Sequence, residues 1–301
     1  MGHRSGRSLL QFMAGIVTVG LTSIGLISSP AGAAPSQRPA GVALSSVTTP
    51  TQGYWMAAAD GGVFAFGNAG FYGSMGGKVL NEPVLDMAVT PSRAGYWLVA
   101  TDGGVFSFGG ATFYGSMGGK PINAPVLSIA GTPLGHGYWL SAEDGGVFTF
   151  GDAGFYGSMG GKPLNAAVVD LVPTPSGHGY WLVAEDGGVF TFGDAGFYGS
   201  MGGKPLAAWV VGMVATPSGH GYWLVGADGG VFSFGDAIFY GSSGGKALTE
   251  SVLHVDMAAT ASGHGYRLVT IDGQVSCFGD AQCVGSVAGH PLVAPMVSIV
   301  S

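Results

Sequence analysis

Short apolar runs separated by glycine-rich turns recur along most of the chain. The run Tyr180-Trp181-Leu182-Val183-Ala184 is apolar at every position instead of alternating, which predicts a strand buried on both faces. Turn-forming sequences of the Thr-Pro-Ser-Gly, Asp-Gly-Gly and Gly-Asp-Ala-Gly types separate such runs. No helical periodicity appears after the N-terminal segment. The pattern therefore predicts an all-β fold of short strands and tight turns.

This pattern repeats with a period of 42 residues. Each copy contains four extended runs, and an Asp-Gly pair between the second and third runs predicts a hairpin turn. Four strands in about 42 residues match the length of a propeller blade. Arg267 marks a sixth copy after a two-residue insertion, and tryptophan holds the same place in the other five: Trp55, Trp97, Trp139, Trp181 and Trp223.

The first run of the repeat occurs seven times, whereas the other runs occur six times. The chain stops within the surplus copy, at residues 296–301, so we expect a six-bladed β-propeller whose C-terminal strand completes the first blade. Residues 42–49 resemble the same run and compete for that position. A seven-bladed ring with one incomplete blade is the alternative.

Residues 1–33 have the features of an export signal. A short basic start is followed by the apolar residues 9–27 and by small residues that favour cleavage after Ala33. The apolar run is also long enough for an uncleaved membrane anchor, which is the alternative. We assign residues 34–41 to a linker and residues 42–301 to the propeller. The protein is expected to be secreted or cell-wall-associated, with no membrane contact after cleavage.

The composition excludes some functions and indicates few. The net charge is −7 and charged residues make up 9% of the chain, so the basic surface that nucleic acids require is absent. No motif for a serine hydrolase, a metalloprotease or a nucleotide-binding loop occurs, and we predict no catalytic residue, metal site or cofactor. A propeller enzyme would place its chemistry where the repeat breaks, at Glu250, His254, Arg267 and His290. His254 and Asp256 lie two apart on one strand.

One position on the first run carries three carboxylates on alternate copies. If it faces the axis of the ring, the channel is lined by acidic and small residues, and the carboxylates offer oxygen ligands for a hard cation. A solvated channel is the favoured interpretation because alternate blades hold the carboxylates apart. The residues are Asp86, Ser128, Asp170, Gly212, Asp256 and Ser298.

The string GYWLVAEDGGVFTFGDAGFYGSMGG, residues 179–203, resembles a repeat of secreted actinobacterial proteins. The strand layout is also similar to the NHL repeat of six-bladed propellers. The resemblance covers residues 42–301 and implies an extracellular or wall-associated interaction module. It implies no catalytic residue.

The two cysteines of the chain, Cys277 and Cys283, flank the Gly279-Asp280-Ala281 turn in the sixth copy. We expect them on facing strands of one hairpin. Their spacing is not that of a Cys-x-x-Cys redox motif. Export to an oxidising compartment favours a disulfide between them.

The lysines of the chain all follow a Gly-Gly pair at the same place in the repeat. We expect them on one rim of the ring, together with the Asp-Gly turns of the hairpins. The functional interpretation is an anion-binding rim for a cell-wall polymer, and the alternative is weak pairing of each lysine with a neighbouring aspartate. The rim residues are Lys78, Lys120, Lys162, Lys204 and Lys246, with His290 in the sixth copy.

A histidine and an aspartate sixteen residues apart change together between copies. One of the two remaining copies has Gln52 with Asn68, and the other has Ala94 with Gly110. We predict that each aspartate accepts a hydrogen bond from its histidine, on the rim opposite the lysines. A ring of metal or acid–base sites is the rival interpretation. The pairs are His136–Asp152, His178–Asp194, His220–Asp236 and His264–Asp280.

These observations favour a monomeric, non-catalytic binding or scaffold module. Its expected partner is a cell-wall polymer or an extracellular protein. The alternatives are a structural assembly protein and, less favoured, a propeller hydrolase or lyase with its site in the sixth copy.

Overall fold

The computed structural model describes residues 53–245 and 253–301, which form β-strands and connecting segments. Within these two stretches eighteen strands form six three-stranded antiparallel sheets. No helix in them combines the length and the apolar character needed to cross a membrane. The predicted export signal, the linker and the competing run at 42–49 lie outside the described residues, as do Gln52, Lys246 and Glu250.

Each sheet is one blade, with an inner, a middle and an outer strand. Blade 1 consists of β18 (Met296–Val300), β1 (Tyr54–Ala58) and β2 (Val63–Phe66). The other blades follow in chain order: blade 2 has β3 (Val84–Val89), β4 (Gly95–Ala100) and β5 (Val105–Gly109); blade 3 has β6 (Val126–Gly131), β7 (Gly137–Ala142) and β8 (Val147–Gly151); blade 4 has β9 (Val168–Pro173), β10 (Gly179–Ala184) and β11 (Val189–Gly193); blade 5 has β12 (Val210–Ala215), β13 (Gly221–Gly226) and β14 (Val231–Gly235); blade 6 has β15 (His254–Ala259), β16 (Gly265–Thr270) and β17 (Val275–Gly279).

The middle strand of every blade is buried along its whole length. In β10, for example, every residue from Gly179 to Ala184 is buried, because neighbouring blades cover both faces of the sheet. This confirms the double burial that the unbroken apolar run predicts.

Aromatic side chains lock each blade to the next. The indole of Trp97 in blade 2 lies against the ring of Tyr138 in blade 3, with ring centroids 5.5 Å apart. Its Nε1 donates to the carbonyl oxygen of Thr112 at 2.8 Å, and the Tyr138 hydroxyl donates to the carbonyl oxygen of Gly115 at 2.5 Å. These buried polar groups are therefore satisfied while their rings fill the space between blades.

The C-terminal strand closes the ring. Strand β18 pairs antiparallel with β1, and Met56 lies opposite Ile299. The inner strands touch in the cyclic order β3, β6, β9, β12, β15, β18 and back to β3. The predicted all-β, six-bladed arrangement with a closing C-terminal strand is confirmed for the described residues. The position beside β1, for which residues 42–49 compete in sequence, is held by β18.

The fourth run of the repeat was expected to be a strand and is not. In the described residues it is an irregular crossover that links consecutive blades. Its glycines explain the difference: Gly115 has φ +129°, and a Cβ there would come within 2.8 Å of the Phe150 ring of the next blade. Each described blade therefore has three strands instead of four.

The expected disulfide between Cys277 and Cys283 is present, with the two Cα atoms 5.8 Å apart. Cys277 lies on the outer strand β17. Cys283 lies on the crossover that follows, and not on a facing strand, because the fourth run does not enter the sheet. The bridge therefore fastens the crossover of blade 6 to its outer strand.

If β18 is packed in the ring as firmly as an internal strand, Ile299 and its equivalent Ile129 should contribute equally to the free energy of unfolding. They are 1% and 3% exposed. Ile299→Ala and Ile129→Ala should each lower the free energy of unfolding by about 3 kcal/mol, from lost burial and the cavity left behind. Urea denaturation measures both, with Val300→Ala at a half-buried position of β18 as a milder control. A much smaller loss for Ile299→Ala than for Ile129→Ala would contradict closure by β18.

Candidate functional site

One end of the ring, the lysine end, is built from the hairpin turns between middle and outer strands and the Gly-Gly-Lys segments that pack on them. In blade 2 the Asp102 carboxylate accepts a hydrogen bond from the Gly104 amide at 2.8 Å, which fixes the turn. The Met117 amide then donates to the Gly103 carbonyl at 2.9 Å. The structure thus places the lysine segments and the Asp-Gly turns at one end.

The four described lysines of this end are exposed, and three are held by the same contact. Their ammonium groups donate to the backbone carbonyl four residues earlier, and not to the neighbouring aspartates as the alternative supposed. A single carbonyl uses one of the three donors of an ammonium group and leaves the charge exposed. The pairs are Lys120 with Ser116 at 2.8 Å, and Lys162 with Ser158 and Lys204 with Ser200 at 2.9 Å.

Two members of this set differ. Lys78 has its Nζ 3.9 Å from the sulfur of Met75. His290 is exposed, and its amide donates to the Val287 carbonyl as the Lys120 amide donates to Met117. The sixth copy thus presents an imidazole at the lysine position.

The inner strands carry three carboxylates that face the axis, and each ties two blades together. Asp86 of β3 accepts a hydrogen bond from the Ile129 amide of β6 at 2.9 Å. Asp170 accepts one from Met213 at 3.0 Å, and Asp256 one from Ile299 at 2.8 Å, in the same way. Each carboxylate also accepts the amide of the residue that follows it, at 2.7 Å. The three carboxylates therefore occupy equivalent positions on alternate inner strands and face the axis, as the sequence predicted.

Small residues occupy the intervening blades at this level. The Ser298 hydroxyl lies 2.8 Å from Asp86 and 3.0 Å from Asp256, and the Ser128 hydroxyl lies 2.8 Å from Asp170. Gly212 offers no side chain, and a Cβ there would lie 3.3 Å from an Asp256 oxygen and 3.8 Å from one of Asp170. Five of the six positions thus take part in side-chain hydrogen bonds, in two groups: Asp86 and Asp256 with Ser298, and Asp170 with Ser128.

Burial raises the pKa of all three carboxyl groups above the ordinary value of 3.8. Burial and then the charge of Asp170 raise the pKa of Asp86 to about 7, and burial with the charges of Asp86 and Asp170 raises the pKa of Asp256 well above normal. The three side chains are half-buried, because they line the channel. No group of three or more His, Cys, Asp or Glu within residues 53–245 and 253–301 has an arrangement able to hold a metal ion.

The opposite end, the histidine end, carries the turns between inner and middle strands. In blade 4 the Asp194 amide donates to the His178 carbonyl at 3.1 Å, so the two turns do touch. The carboxylate, however, accepts hydrogen bonds from the hydroxyls of Thr174 at 2.8 Å and Ser176 at 2.5 Å. Blades 5 and 6 repeat this arrangement at Asp236 and Asp280.

The donors to these aspartates therefore differ from the imidazoles that we expected. The hydroxyls occupy the carboxylate oxygens because they lie two and four residues before the histidine, inside the same turn. The hydrogen bond from Ser176 is the largest cause that lowers the pKa of Asp194, and the charge of His178 contributes less. An imidazole–carboxylate hydrogen bond therefore does not explain the joint change of histidine and aspartate. The imidazoles are exposed in all four copies: His136, His178, His220 and His264.

The residues that break the repeat in the sixth copy have structural surroundings. His254 is 4% exposed, and its ring packs against Gly229 of the preceding blade. Arg267 is 1% exposed, donates to Gln282 and Ser301, and lies 4.9 Å from the Tyr54 ring. His254 and Asp256 therefore have different neighbours, despite their spacing on one strand.

The sequence reasoning missed a further repeated feature, a ring of exposed phenylalanines on the crossovers. Each is more than half exposed, which is unusual for so large an apolar side chain at equivalent positions. The 42-residue spacing was visible in the sequence, but the run was expected to be a strand with its aromatic residues packed. They are Phe71, Phe113, Phe155, Phe197 and Phe239, and Cys283 takes the sixth place.

Acidification from pH 8 to pH 5 should stabilise the ring through the channel carboxyl groups. Their pKa values are higher in the folded than in the unfolded chain, so their contribution is complete below about pH 4 and is lost as the pH rises towards 7. Because a tenfold difference in proton affinity corresponds to about 1.4 kcal/mol, the free energy of unfolding should rise by about 2 kcal/mol. Urea denaturation at several pH values measures it.

Asp86→Asn should flatten this pH dependence. Asp194→Asn is the matched control, because the pKa of Asp194 is lowered and its contribution is lost only in more acidic solution. A wild-type protein that is equally stable at pH 8 and pH 5, or an Asp86→Asn variant with the wild-type slope, would rule out this role.

The hydroxyl bonds of the histidine end predict opposite effects at two equivalent positions. Ser176→Ala removes a donor to Asp194 and should lower the free energy of unfolding by about 1 kcal/mol. Leu134 stands at the same place in blade 3 and is 73% exposed, so Leu134→Ser supplies the missing donor to Asp152 and should raise stability by about 0.5 kcal/mol. Chemical denaturation compares them. Equal signs for the two changes would be inconsistent with this hydrogen bond.

Comparison with known proteins places the fold. No protein-family model matches the chain, and no curated protein matches its sequence. Many solved structures do match it. One is the β-propeller domain of Cps50 (Swd1) from Myceliophteria thermophila, with a TM-score of 0.50 and 12% sequence identity over 78% of this chain and 82% of that chain. The chain is thus an all-β protein with a β-propeller architecture.

Proposed function

We propose that this chain is an exported, non-catalytic binding module that engages an anionic polymer of the cell envelope through its lysine end. The observation that carries the proposal is the equivalent placement of exposed lysines around one end of a closed ring, three of them held by the same carbonyl contact. Repeated weak contacts of this kind favour a ligand that is itself a repeating chain, because every further contact is intramolecular.

The arrangement of charged side chains favours the binding of an anion at the lysine end, although the net charge of the chain is negative. The aspartates of the hairpin turns are half-buried, and their carboxylates accept the amide two residues later, as Asp144 does from Gly146 at 2.9 Å. The four described lysines are exposed, whereas Glu82 is the exposed carboxylate among the described residues that join Lys78 to β3. At physiological ionic strength charges beyond about 8 Å are screened, so the nearest charges decide what is attracted.

The buried positions of His254 and Arg267 support a non-catalytic role. These two side chains break the repeat, where propeller chemistry would be expected, and they are 4% and 1% exposed. A catalytic group must reach its substrate. The remaining polar groups repeat from blade to blade, which suits multivalent binding better than a single reaction centre.

The cellular setting belongs to the same proposal. The apolar segment and small residues of positions 1–33 favour export, and a disulfide between Cys277 and Cys283 suits an oxidising compartment. The resemblance of residues 179–203 to repeats of secreted actinobacterial proteins supports export, and a wall-associated location and an NHL-like strand layout belong to the same proposal. The pairing of β18 with β1 covers a strand edge that would otherwise be open, so we expect a monomer.

Retention on a phosphate-rich wall polymer should depend on the lysine end. Lys120, Lys162 and Lys204 changed together to Gln should reduce retention on immobilised wall teichoic acid at low salt by at least tenfold. The same three positions changed to Arg keep the charge and should retain most of the binding. Retention of the Gln variant at the wild-type level, with the fold intact by circular dichroism, would contradict the proposal.

A further inference from the structure

The exposed phenylalanines lie beside the polar turns of the histidine end, at the junction of two blades. Phe155 precedes Tyr156, whose hydroxyl donates to the Gly177 carbonyl of blade 4 at 3.0 Å. Gly177 precedes His178, and the same turn is bonded to Asp194 through Ser176. The crossover of one blade thus carries an exposed aromatic ring one residue before a tyrosine that is bonded to the turn of the next blade, and that turn holds an exposed histidine and aspartate.

Four junctions share this composition, and two lack it. The tyrosine contact to the next turn recurs at Tyr114, Tyr198 and Tyr240. At the junction of Phe71 the neighbouring turn has Arg93 and Ala94, with Gly110 in place of aspartate. At the last junction Cys283 replaces phenylalanine, and Asn68 replaces aspartate. The complete sets are Phe113 with His136 and Asp152, Phe155 with His178 and Asp194, Phe197 with His220 and Asp236, and Phe239 with His264 and Asp280.

Hydrogen bonds within the protein do not account for this joint occurrence. The carboxylate of Asp194 is bonded by hydroxyls, so the histidine is not needed to hold it. Blade 3 has Leu134 in place of the serine donor, yet it keeps both His136 and Asp152. Blade 2 forms the same strands with Ala94 and Gly110. An external ligand that contacts both side chains would account for histidine and aspartate being kept or lost together.

We propose that these four junctions are binding sites for an uncharged polysaccharide, each taking one pyranose unit. The exposed aromatic ring offers a flat face for the C–H face of the sugar, and the carboxylate and imidazole offer acceptors and donors to its hydroxyls. Hydrogen bonds of Trp139 and Tyr156 hold the crossover backbone on either side of Phe155. Binding of a ligand therefore requires little further ordering of this segment.

The charge of the four junctions and the size of their apolar patches favour an uncharged polysaccharide as the partner. Four exposed carboxylates at one end oppose a polyanion, which separates this surface from the lysine end. Each junction exposes one or two large apolar side chains, since Leu134 joins Phe113 and Ile238 joins Phe239. Bounded by polar turns, such patches are smaller than a protein interface that relies on contiguous apolar surface. A pyranose has an apolar face and a hydroxylated edge, and a polymer presents many of them to sites spaced around the ring.

The test uses immobilised neutral oligosaccharides: cello-, chito-, manno- and galacto-oligomers, probed with the full chain. The wild-type protein should bind at least one of them. Phe113, Phe155, Phe197 and Phe239 changed together to Ser should weaken that binding at least tenfold, and so should Asp152, Asp194, Asp236 and Asp280 changed together to Asn. Phe71→Ser, at a junction without the polar pair, should change it less than twofold.

This inference does not rest on the lysine end, and the variants distinguish binding at the four junctions from binding at the lysine end. The Lys→Gln variant of the previous subsection should bind the neutral glycan normally, and the phenylalanine variant should bind teichoic acid normally. Because the changed phenylalanines are more than half exposed, thermal unfolding should stay close to wild type. Absence of wild-type binding to all four oligomer classes, or full binding by the folded phenylalanine variant, would overturn the proposal.

Discussion

The middle strand of each blade is buried on both faces by the blades beside it, and no blade can satisfy this requirement alone. Trp97 needs Tyr138 of the next blade to cover its indole, and Tyr138 in turn uses the Gly115 carbonyl of the crossover as its hydrogen-bond acceptor. Apolar area left open at either end of such a row would cost stability in proportion to its size. The row therefore has to close on itself, and β18 supplies the strand that completes blade 1.

Closure gives the molecule its distinct surfaces. The inner strands meet around a channel in which Asp86, Asp170 and Asp256 tie adjacent blades through backbone amides. The hairpin turns and Gly-Gly-Lys segments collect at one end, and the histidine and aspartate turns collect at the other. Because one repeat is copied around an axis, any side chain placed once by the fold is presented several times. This repetition is why both proposed ligands are polymers and why each single contact can be weak.

Sequence reasoning predicted the period, the doubly buried strand and the closing strand, because each depends on apolar pattern or spacing alone. It predicted the disulfide from the position of the cysteines and the expected export. It failed where two explanations share one pattern. The fourth run has aromatic residues like a strand, but Gly115 with φ +129° bends it into a crossover. The joint change of His178 and Asp194 is visible in the sequence, but the hydrogen bonds from Thr174 and Ser176 to the carboxylate are seen only in the folded turn. Exposure of Phe155 likewise depends on where the crossover runs, which composition does not determine.

Hydrogen exchange on the native protein tests the closed ring most directly. Amides of β18 should exchange as slowly as those of β6, the equivalent inner strand, because both are bonded to a buried middle strand and flanked by neighbouring blades. The measurement follows peptides covering Met296–Val300 and Val126–Gly131 by mass spectrometry over minutes to days. Protection of β18 equal to that of β6 is the predicted result. Exchange of β18 at the rate of an unstructured peptide, with β6 still protected, would show that the ring is open.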